Sequence, residues 1–450
     1  MNEMFDKSNI MCYNKTDNKK RQEREFMKLN YKRTILVGFA FFLISAFWQA
    51  YDTIVPLILT NKFHMEQTYS GIIMSLDNIF AVVLLPIFGM LSDKTLTKYG
   101  KRTPYITIGT VFAAFFLILL GFSAKLIIFV LILLGCLLSM ATFRSPAVAL
   151  MPDVTVKPLR SKGNAIINLM GTAGGMLVLG LGIVFKTSTA GKTDFSVYLI
   201  TVSIVMVAAL VVFLLTVKEP KWAEEAEREN AKLDKENEKE EEKVVGKLSR
   251  SELTSLILIL ASVALWYIGY NAITSKYSVY ASEVLKVPYT VTLLVAQGAA
   301  IVSYIPVGIV ASKLGRKKTI LAGVLMLGVA FGAASFIKEG VNPIVMYMLF
   351  SLAGIGWATI NVNSFPMAVE LAKNGDVGKY TGFYYTASMT AQIVTPILSG
   401  FLIDKIGWQV FFPYAAIFVG CAFVTMSFVK HGDSRPETQG ALESLAGADD

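Results

Sequence analysis

The sequence predicts an all-helical membrane protein with twelve transmembrane helices in two pseudo-symmetric six-helix bundles. Three observations lead to this fold class. Hydrophobic residues make up 54% of the 450 residues and charged residues only 17%, whereas soluble domains carry about 25% charged residues. Apolar stretches of about 17–25 residues, each long enough to cross a bilayer, recur along the whole chain. A charged stretch also divides the chain into two halves that match each other in sequence.

The apolar stretches predict twelve helices, named α1 to α12 in chain order. Their expected ranges are 34–58, 70–91, 104–123, 126–149, 164–186, 195–217, 253–280, 289–311, 318–336, 343–365, 379–403 and 408–429. The corresponding organisation is an N-terminal tail (1–33), a first bundle (34–217), a charged linker (218–252), a second bundle (253–429) and a C-terminal tail (430–450). The polar, basic N-terminal tail lacks the pattern of a cleaved signal peptide, so we expect α1 to direct insertion.

The basic residues predict the orientation in the membrane. Most of the 42 Lys and Arg residues fall in one set of alternating loops and tails, which includes both termini. Because such residues favour the cytoplasmic side, we expect both termini in the cytoplasm of a cell-membrane protein. The net charge of +9 is then a topology signal, and we expect the lipid bilayer, not nucleic acid, as the partner of this surface.

The linker from Lys218 to Arg250 contains the run AEEAERENAKLDKENEKEEEK. Pairs such as Glu224 and Arg228 have helical spacing, but the run has too little apolar surface to build a core. We therefore expect a solvated, partly helical linker between the bundles. A docking site for a regulatory partner is the alternative.

An internal repeat supports the two-bundle organisation. A constant offset of 219 residues relates identical or similar residues at the same points of the helix order. The pairs are Tyr51 and Tyr270, Gly89 and Gly308, Lys94 and Lys313, Ser145 and Ser364, Arg160 and Lys379, and Gly163 and Gly382. Repeats of this kind place a ligand site between the halves, near the middle of the membrane.

The loop after α2 contains a further motif, Gly89-Met-Leu-Ser-Asp93-Lys94 followed by Gly100-Lys101-Arg102-Thr103-Pro104. Its counterpart after α8 has Ser312 at the position of Asp93. A glycine permits close helix contact, and an acid at a helix end can meet a cation. We expect a latch here, weaker in the second copy; the alternative is that the cations only set topology. The candidate gating residues are Gly89, Asp93, Lys101, Arg102, Arg160 and Glu370.

This motif resembles the loop signature of the major facilitator superfamily. Further stretches are similar to the sucrose-transporter-like branch of the glycoside–pentoside–hexuronide:cation symporters. They read DKTLTKYGKRTPYI after α2, FRSPAVALMPDVTVKPLRSKGNAIINLMG from Phe143, WYIGYNAI in α7 and GIGWATINVNSFPMAVELA from Gly354. The resemblance covers all twelve helices. It implies uptake of a small sugar or glycoside, coupled to protons or sodium, by alternating access.

The chain departs from this branch at two places. Melibiose-type members carry two carboxylates four residues apart in α2, but Asp77 has Ile73 and Ala81 at that spacing. Plant sucrose symporters carry an acid in α4, where this chain has Arg144. A single carboxylate that accepts a proton is therefore a better expectation than a two-carboxylate sodium site.

Four charged residues lie inside the predicted helices, away from their terminal residues: Asp52, Asp77, Arg144 and Lys276. Charges at membrane depth are costly and usually face a cavity or a partner. The helical rise places the carboxylates and Lys276 in the outer half, and Arg144 in the inner half. We expect Asp77, Asp52 and Lys276 to form the cation-coupling cluster, with Asp77 the first choice for the proton. The alternatives are a static ion pair or, for Lys276, snorkelling to the interface.

Sugars are bound by aromatic faces and by hydrogen bonds. Arg144 is expected to face Asn363 across the cavity, since the repeat relates the two positions and both side chains offer several donors. Roughly half of the aromatic candidates are expected only to pack or to anchor the helices. The candidate ligand-binding residues are Arg144, Asn78, Asn271, Asn361, Asn363, Trp48, Tyr51, Tyr267, Trp357 and Gln392, with Gln49, Trp266, Tyr270 and Tyr384 as further possibilities.

Other classes of function find little support in the sequence. The three cysteines give no disulfide or metal framework, and no enzyme motif appears. We expect no catalytic residue, no cofactor and a monomer. Two alternatives to a sugar symporter stay open: a facilitator that exports apolar compounds, and a membrane sensor that binds sugar without moving it.

Overall fold

The structure is a computed structural model that describes residues 29–237, 249–371 and 377–433. Within these ranges it contains twelve helices long and apolar enough to cross a membrane, so the predicted fold class is confirmed. The helices are α1 Tyr31–Leu57, α2 Gln67–Lys94, α3 Thr103–Phe122, α4 Leu126–Asp153, α5 Arg160–Val184, α6 Ser196–Thr216, α7 Arg250–Val279, α8 Tyr289–Leu314, α9 Arg316–Ala334, α10 Pro343–Val369, α11 Val377–Ile406 and α12 Phe411–Ser427. π-helical segments extend α1 through Ile58–Lys62 and α7 through Tyr280–Leu285.

Local sequence explains where several helices begin. The side chain of Asn30 accepts a hydrogen bond from Arg33 N, 3.1 Å away, and so caps α1. Asn342 caps α10 in the same way, with Pro343 in the first helical turn. Ser249 and Glu252 form a capping box that starts α7. Such caps satisfy backbone N–H groups that have no partner within the helix.

We call the end of the bundle where α1 begins and α12 ends the tail side, and the other end the opposite side. The two halves are joined most closely at the opposite side. Across the halves, α2 packs against α11, α5 against α8 and α1 against α7. A side chain at Gly71 or Gly400 would collide with the backbone of Pro396 or Gln67, respectively. These two glycines therefore allow the beginning of α2 and the end of α11 to touch.

Hydrogen bonds across the halves close the opposite side. Asp404, near the end of α11, accepts bonds from the backbone N–H groups of Gln67 and Thr68, at 2.8 and 2.7 Å. Lys276 of α7 donates to the carbonyl oxygen of Gln67 at 2.9 Å. The first turn of α2 is thus capped by residues of the other half, and we call Gln67, Thr68, Lys276 and Asp404 the opposite-side gate.

A second set of bonds lies beside this gate. Glu283 accepts from Asn61 Nδ2 at 2.7 Å and from the backbone N–H of Gly191 at 2.9 Å. Tyr289 also donates to the hydroxyl of Thr187 at 2.8 Å. Because every one of these bonds joins the first half to the second, the opposite side is closed in this structure.

On the tail side, Arg102 joins the ends of three helices of the first half. It donates to Asp93 at 2.5 Å and to Asp153 at 2.8 Å, and it also contacts the hydroxyl of Ser92. Burial alone would lower the pKa of Arg102, but the hydrogen bonds and charges of Asp153 and Asp93 raise it above its usual value. The sequence motif predicts this kind of contact between an acid and a cation.

The other candidate gating residues also make contacts within their own half. An added side chain at Gly89 would meet the hydroxyl of Ser145, which places α2 close to α4. Arg160 donates to the carbonyl oxygen of Pro152 at 2.8 Å. In the second half, Arg316 pairs with Glu370 at 2.8 Å. Their proposed part in gating stays a prediction.

An acidic residue after the last helix of each half caps the third helix of that half. The carboxylate of Glu219, only 2% exposed, accepts from the backbone N–H groups of Lys101, Arg102 and Thr103 and from the Thr103 hydroxyl. It fills the space that a side chain on Gly100 would need, and Gly100 has a φ of +114°. Only glycine adopts this backbone conformation without strain.

The second half repeats this arrangement. The carboxylate of Asp433 accepts from the backbone N–H of Lys317 at 2.8 Å and lies where a side chain on Gly315 would be. Gly315 also has a positive φ, +92°. The equivalent caps provide structural support for the internal repeat.

The linker is partly helical, as its sequence predicts, but its helix is also docked on the first half. A linker helix, Glu219–Asn237, lies against the first half. Trp222, 7% exposed, packs beneath the guanidinium of Arg33 at 5.2 Å, and Arg33 also pairs with Glu225. Asn230 accepts from the backbone N–H of Lys157 at 2.8 Å. One tryptophan and a few directed polar contacts are enough to dock this helix. The rest of the charged stretch, 238–248, lies outside the described residues.

Replacing Glu219 with alanine should release the docked linker helix. The change leaves three backbone N–H groups and one hydroxyl without their acceptor, and each such group that stays buried costs about 1–3 kcal/mol. We expect a lower free energy of unfolding for the purified protein and faster hydrogen exchange at the start of α3. Glu227→Ala, an exposed position on the same helix, is the control. Equal stability of the two variants would contradict a capping role for Glu219.

Replacing Asp404 with alanine should open the opposite side more often. The first turn of α2 then loses its cap from the other half, and a lost cap costs about 0.5–2 kcal/mol. We expect a longer spin-label distance between the α1–α2 loop and the α11–α12 loop. The control is Asp194→Ala, because Asp194 caps α6 within its own half through Ser196 N. If both variants keep the wild-type distance distribution, Asp404 does not hold the gate.

Candidate functional site

A cavity of about 360 Å³ lies between the two halves. Helices α1, α5, α7, α8 and α10 supply its walls. Its volume is within the usual range for sites that bind small molecules. The polar side chains that line it are Ser45, Gln49, Asp52, Thr53, Thr172, Thr274 and Gln297, and the aromatic ones are Trp48, Tyr270, Tyr304 and Trp357.

Aromatic rings form one wall of this cavity. Tyr270 of α7 and Trp357 of α10 stack with their ring centroids 3.6 Å apart and their planes within 3°. Tyr267 meets the edge of Trp357 at 5.3 Å from behind. The wall offers a flat, rigid apolar face, which is a geometry that suits the ring of a small ligand.

Two carboxylates and one guanidinium of the first half interact electrostatically. Arg144 interacts electrostatically with both Asp77 and Asp52, and also with Tyr385 of α11. Its guanidinium lies 5.6 Å from the ring of Trp48. Asp52 lines the cavity, so this group reaches the cavity through α1. We call Asp52, Asp77 and Arg144 the charge cluster.

This cluster corrects the expected grouping of charges. The helical rise places Arg144 at another depth from the carboxylates, but it measures only the position of the backbone. The long arginine side chain and the packing of α4 against α2 place the guanidinium where the charges of both carboxylates act on it. The charge cluster therefore contains Arg144 in place of Lys276.

Lys276 lies at the opposite-side gate instead. Its ammonium group donates to the carbonyl oxygen of Gln67, and Asp404 is the charge that interacts with it. The residue is only 1% exposed, so it does not snorkel to the membrane surface. An ammonium group buried at an interface between the halves needs these partners, because an unpaired buried charge is costly.

Several candidate amides are engaged away from the cavity. Asn78 donates to the carboxylate of its neighbour Asp77 at 2.7 Å, and so supports the charge cluster. Asn271 and Asn363 each donate at 2.9 Å to a carbonyl oxygen one turn back in their own helix. Asn363 is 2% exposed, and its engaged amide does not form the expected pair with Arg144 across the cavity.

The remaining candidates fall into two groups. Trp48 and Trp357 line the cavity as expected. Tyr51 is fully buried, stacks on Phe47 and packs at a right angle against Trp48. It therefore supports Trp48 and does not itself line the cavity. Asn361 is buried and Gln392 is half-buried; contact of either with a ligand stays a prediction.

The sequence reasoning missed three residues that the structure makes prominent. Gln297 lines the cavity from α8, and Glu283 and Asp404 bond across the halves. Gln297 is an amide within an apolar helix. The high cost of burying an amide without a hydrogen-bond partner, which pointed to the asparagines, points to Gln297 as well. The two acids lie at helix ends, where sequence alone does not separate a gate contact from an exposed charge.

Two helical halves, a polar cavity between them and a closed gate at one end define a membrane transporter. The chain belongs to the Major Facilitator Superfamily, whose family model matches residues 37–390 and 291–446.

Known proteins of this kind resemble the chain in sequence and fold. The uncharacterized MFS-type transporter MJ1317 of Methanocaldococcus jannaschii is 23% identical over 410 residues, which cover 88% of this chain and 95% of that protein. The sucrose transport protein SUC3 of Arabidopsis thaliana is 26% identical over 140 residues, covering 26% of this chain and 24% of that protein.

Solved structures of two other transporters have a similar fold. The nucleoside transporter NupG aligns with a TM-score of 0.65 and 14% identity, covering 88% of this chain and all of that one. The inward-open xylose transporter XylE from E. coli aligns with a TM-score of 0.64 and 14% identity, covering 91% of this chain and 98% of that one. At this identity the likeness concerns the fold.

Proposed function

We propose that the protein imports a small sugar or glycoside by symport with protons, and that it belongs to the sucrose-transporter-like branch. The observation that supports this proposal is the charge cluster, in which Asp52 lines the cavity and the charges of Asp52, Asp77 and Arg144 act on one another. The cluster holds one more acid than base, so binding one proton neutralises it. The partial likeness to SUC3 supports a sugar as the cargo.

The lining of the cavity favours a hydroxylated ligand. The stacked Tyr270 and Trp357 suit the apolar face of a sugar ring, and the amides of Gln49 and Gln297 suit its hydroxyl groups. An apolar compound would cover these polar groups without bonding them, which costs free energy. This argues against the export of apolar compounds. Whether the protein moves its ligand or only senses it is decided by measuring flux.

In this proposal the halves rock about the central cavity. The opposite-side gate opens to admit the sugar and the proton, and closes as in the present structure to release them at the tail side. Both termini and the linker then face the cytoplasm, in agreement with the distribution of basic residues. The working unit is a monomer in the cell membrane.

Uptake by proteoliposomes tests the proposal directly. We expect labelled sucrose or maltose to accumulate when the outside is more acidic than the inside, because inward proton flow then drives symport. A sodium gradient without a pH gradient should not replace it. Accumulation driven only by sodium would overturn proton coupling. Binding without flux would favour the sensor, and no response to any sugar would refute the proposed substrate class.

Neutral variants of the two carboxylates identify the proton site. Asp77→Asn or Asp52→Asn should reduce pH-driven accumulation to the level seen without a gradient, while exchange of labelled for unlabelled sugar continues. The physical reason is that an amide occupies the same space as the acid but binds no proton. Asp194→Asn, outside the membrane helices, is the control. If both variants concentrate sugar as the wild type does, the charge cluster does not carry the coupling proton.

A further inference from the structure

An amide bridge crosses between the halves at the wall of the cavity. The side chain of Gln297, in α8, donates from Nε2 to Oε1 of Gln49, in α1, at 2.6 Å. Both residues line the cavity. The bridge therefore connects the two halves at the surface that a ligand would touch.

A third helix leaves room for this bridge. Gly175 of α5 also lines the cavity, and a Cβ atom added there would lie 3.4 Å from Gln49 Oε1 and 3.5 Å from Gln297 Oε1. Such a Cβ would just touch the amides, and a longer side chain would displace them. Three helices thus converge on the amide pair at the wall of the cavity.

The hydrogen bonding of the bridge is incomplete. Within the described part of the chain, Gln297 Oε1 is buried and has no hydrogen-bond donor. A buried carbonyl oxygen without a donor is unfavourable by an amount comparable to a lost hydrogen bond. Gln49 keeps its two N–H donors, because its oxygen is the atom that Gln297 engages. The pair therefore offers an acceptor in need of a donor, next to an amide that can donate.

We propose that the Gln49–Gln297 pair recognises one hydroxyl group of the ligand, an inference that rests on the proposed function in sugar transport. A hydroxyl group both donates and accepts. It can donate to Gln297 Oε1, after a rotation of that amide towards the cavity, and accept from Gln49 Nε2. Both amides are uncharged, so the pair selects a neutral group.

The surroundings fit this assignment. The stacked rings of Tyr270 and Trp357 line the same cavity and supply the face on which a sugar ring can lie. Asp52 follows Gln49 by three residues on α1, so its side chain lies about one turn away on a neighbouring face. A ligand held by the amide pair is therefore next to the charge cluster.

Tryptophan fluorescence provides a binding test with the full-length protein in lipid nanodiscs. Trp48 and Trp357 line the cavity, so a bound nitrophenyl α-glucoside should quench them. The probes are this glucoside and its monodeoxy analogues. For the wild type, we expect removal of one particular hydroxyl to weaken binding about tenfold, the effect of one well-placed hydrogen bond. Gln297→Leu should bind the parent and that one analogue equally well, and still discriminate at the other ring positions.

Three further variants keep the test decisive. Gln297→Met retains the length of the side chain, and replaces the leucine variant if that protein does not fold. Gln49→Leu should lose discrimination at the same hydroxyl as Gln297→Leu. Gln409→Leu, the same change in the α11–α12 connection, should keep the wild-type pattern.

The possible outcomes separate this inference from the proposed function. If the Gln297 variants weaken every probe by the same factor, the bridge only joins the halves and the inference is overturned. Wild-type discrimination in these variants overturns it as well. If the folded wild type binds none of the glucosides, the proposed sugar site fails, and the inference that depends on it fails too.

Discussion

The structure depends on one constraint: a charged or polar group at membrane depth needs a partner or water. Arg144 lies within α4, and the charges of Asp52 on α1 and Asp77 on α2 act on it. The packing of three helices of the first half is thus tied to one electrostatic group. Since two acids face one base, the group is not balanced when both acids are ionised. Because Asp52 lines the cavity, a proton or a ligand that enters the cavity can reach the charge cluster and neutralise its excess negative charge.

The same constraint explains why the closed gate can open again. The first N–H groups of any helix lack partners within that helix. For α2 these partners come from Asp404 in the other half, and Lys276 bonds to a carbonyl oxygen of the same turn. Water can replace each of these bonds when the halves separate. A gate built from a helix cap therefore stabilises the closed state, and the free-energy cost of opening stays small because water replaces the lost hydrogen bonds.

The sequence predicted the helices far better than the contacts between them. Hydrophobic length alone located all twelve helices, because the bilayer imposes that length. The grouping of Lys276 with the carboxylates was wrong, since helical rise gives the depth of the backbone but not the reach of a side chain or the tilt of a helix. The charged composition predicted a partly helical linker but not its docking, which depends on the single buried side chain of Trp222. The pairing of Gln49 with Gln297 depends on the rotation of two helices, which only tertiary packing determines.

The tail-side networks clarify which parts of the molecule move as units. Arg102 with Asp93 and Asp153, and Arg316 with Glu370, each join elements of a single half. The caps formed by Glu219 and Asp433 do the same, one in each half. These bonds need not break when the halves move relative to each other, whereas the bonds of the opposite-side gate must. This division of contacts favours a rigid-body rocking of the two bundles about the cavity. The amide bridge of Gln49 and Gln297 joins the two bundles at the wall of that cavity, where the ligand would bind.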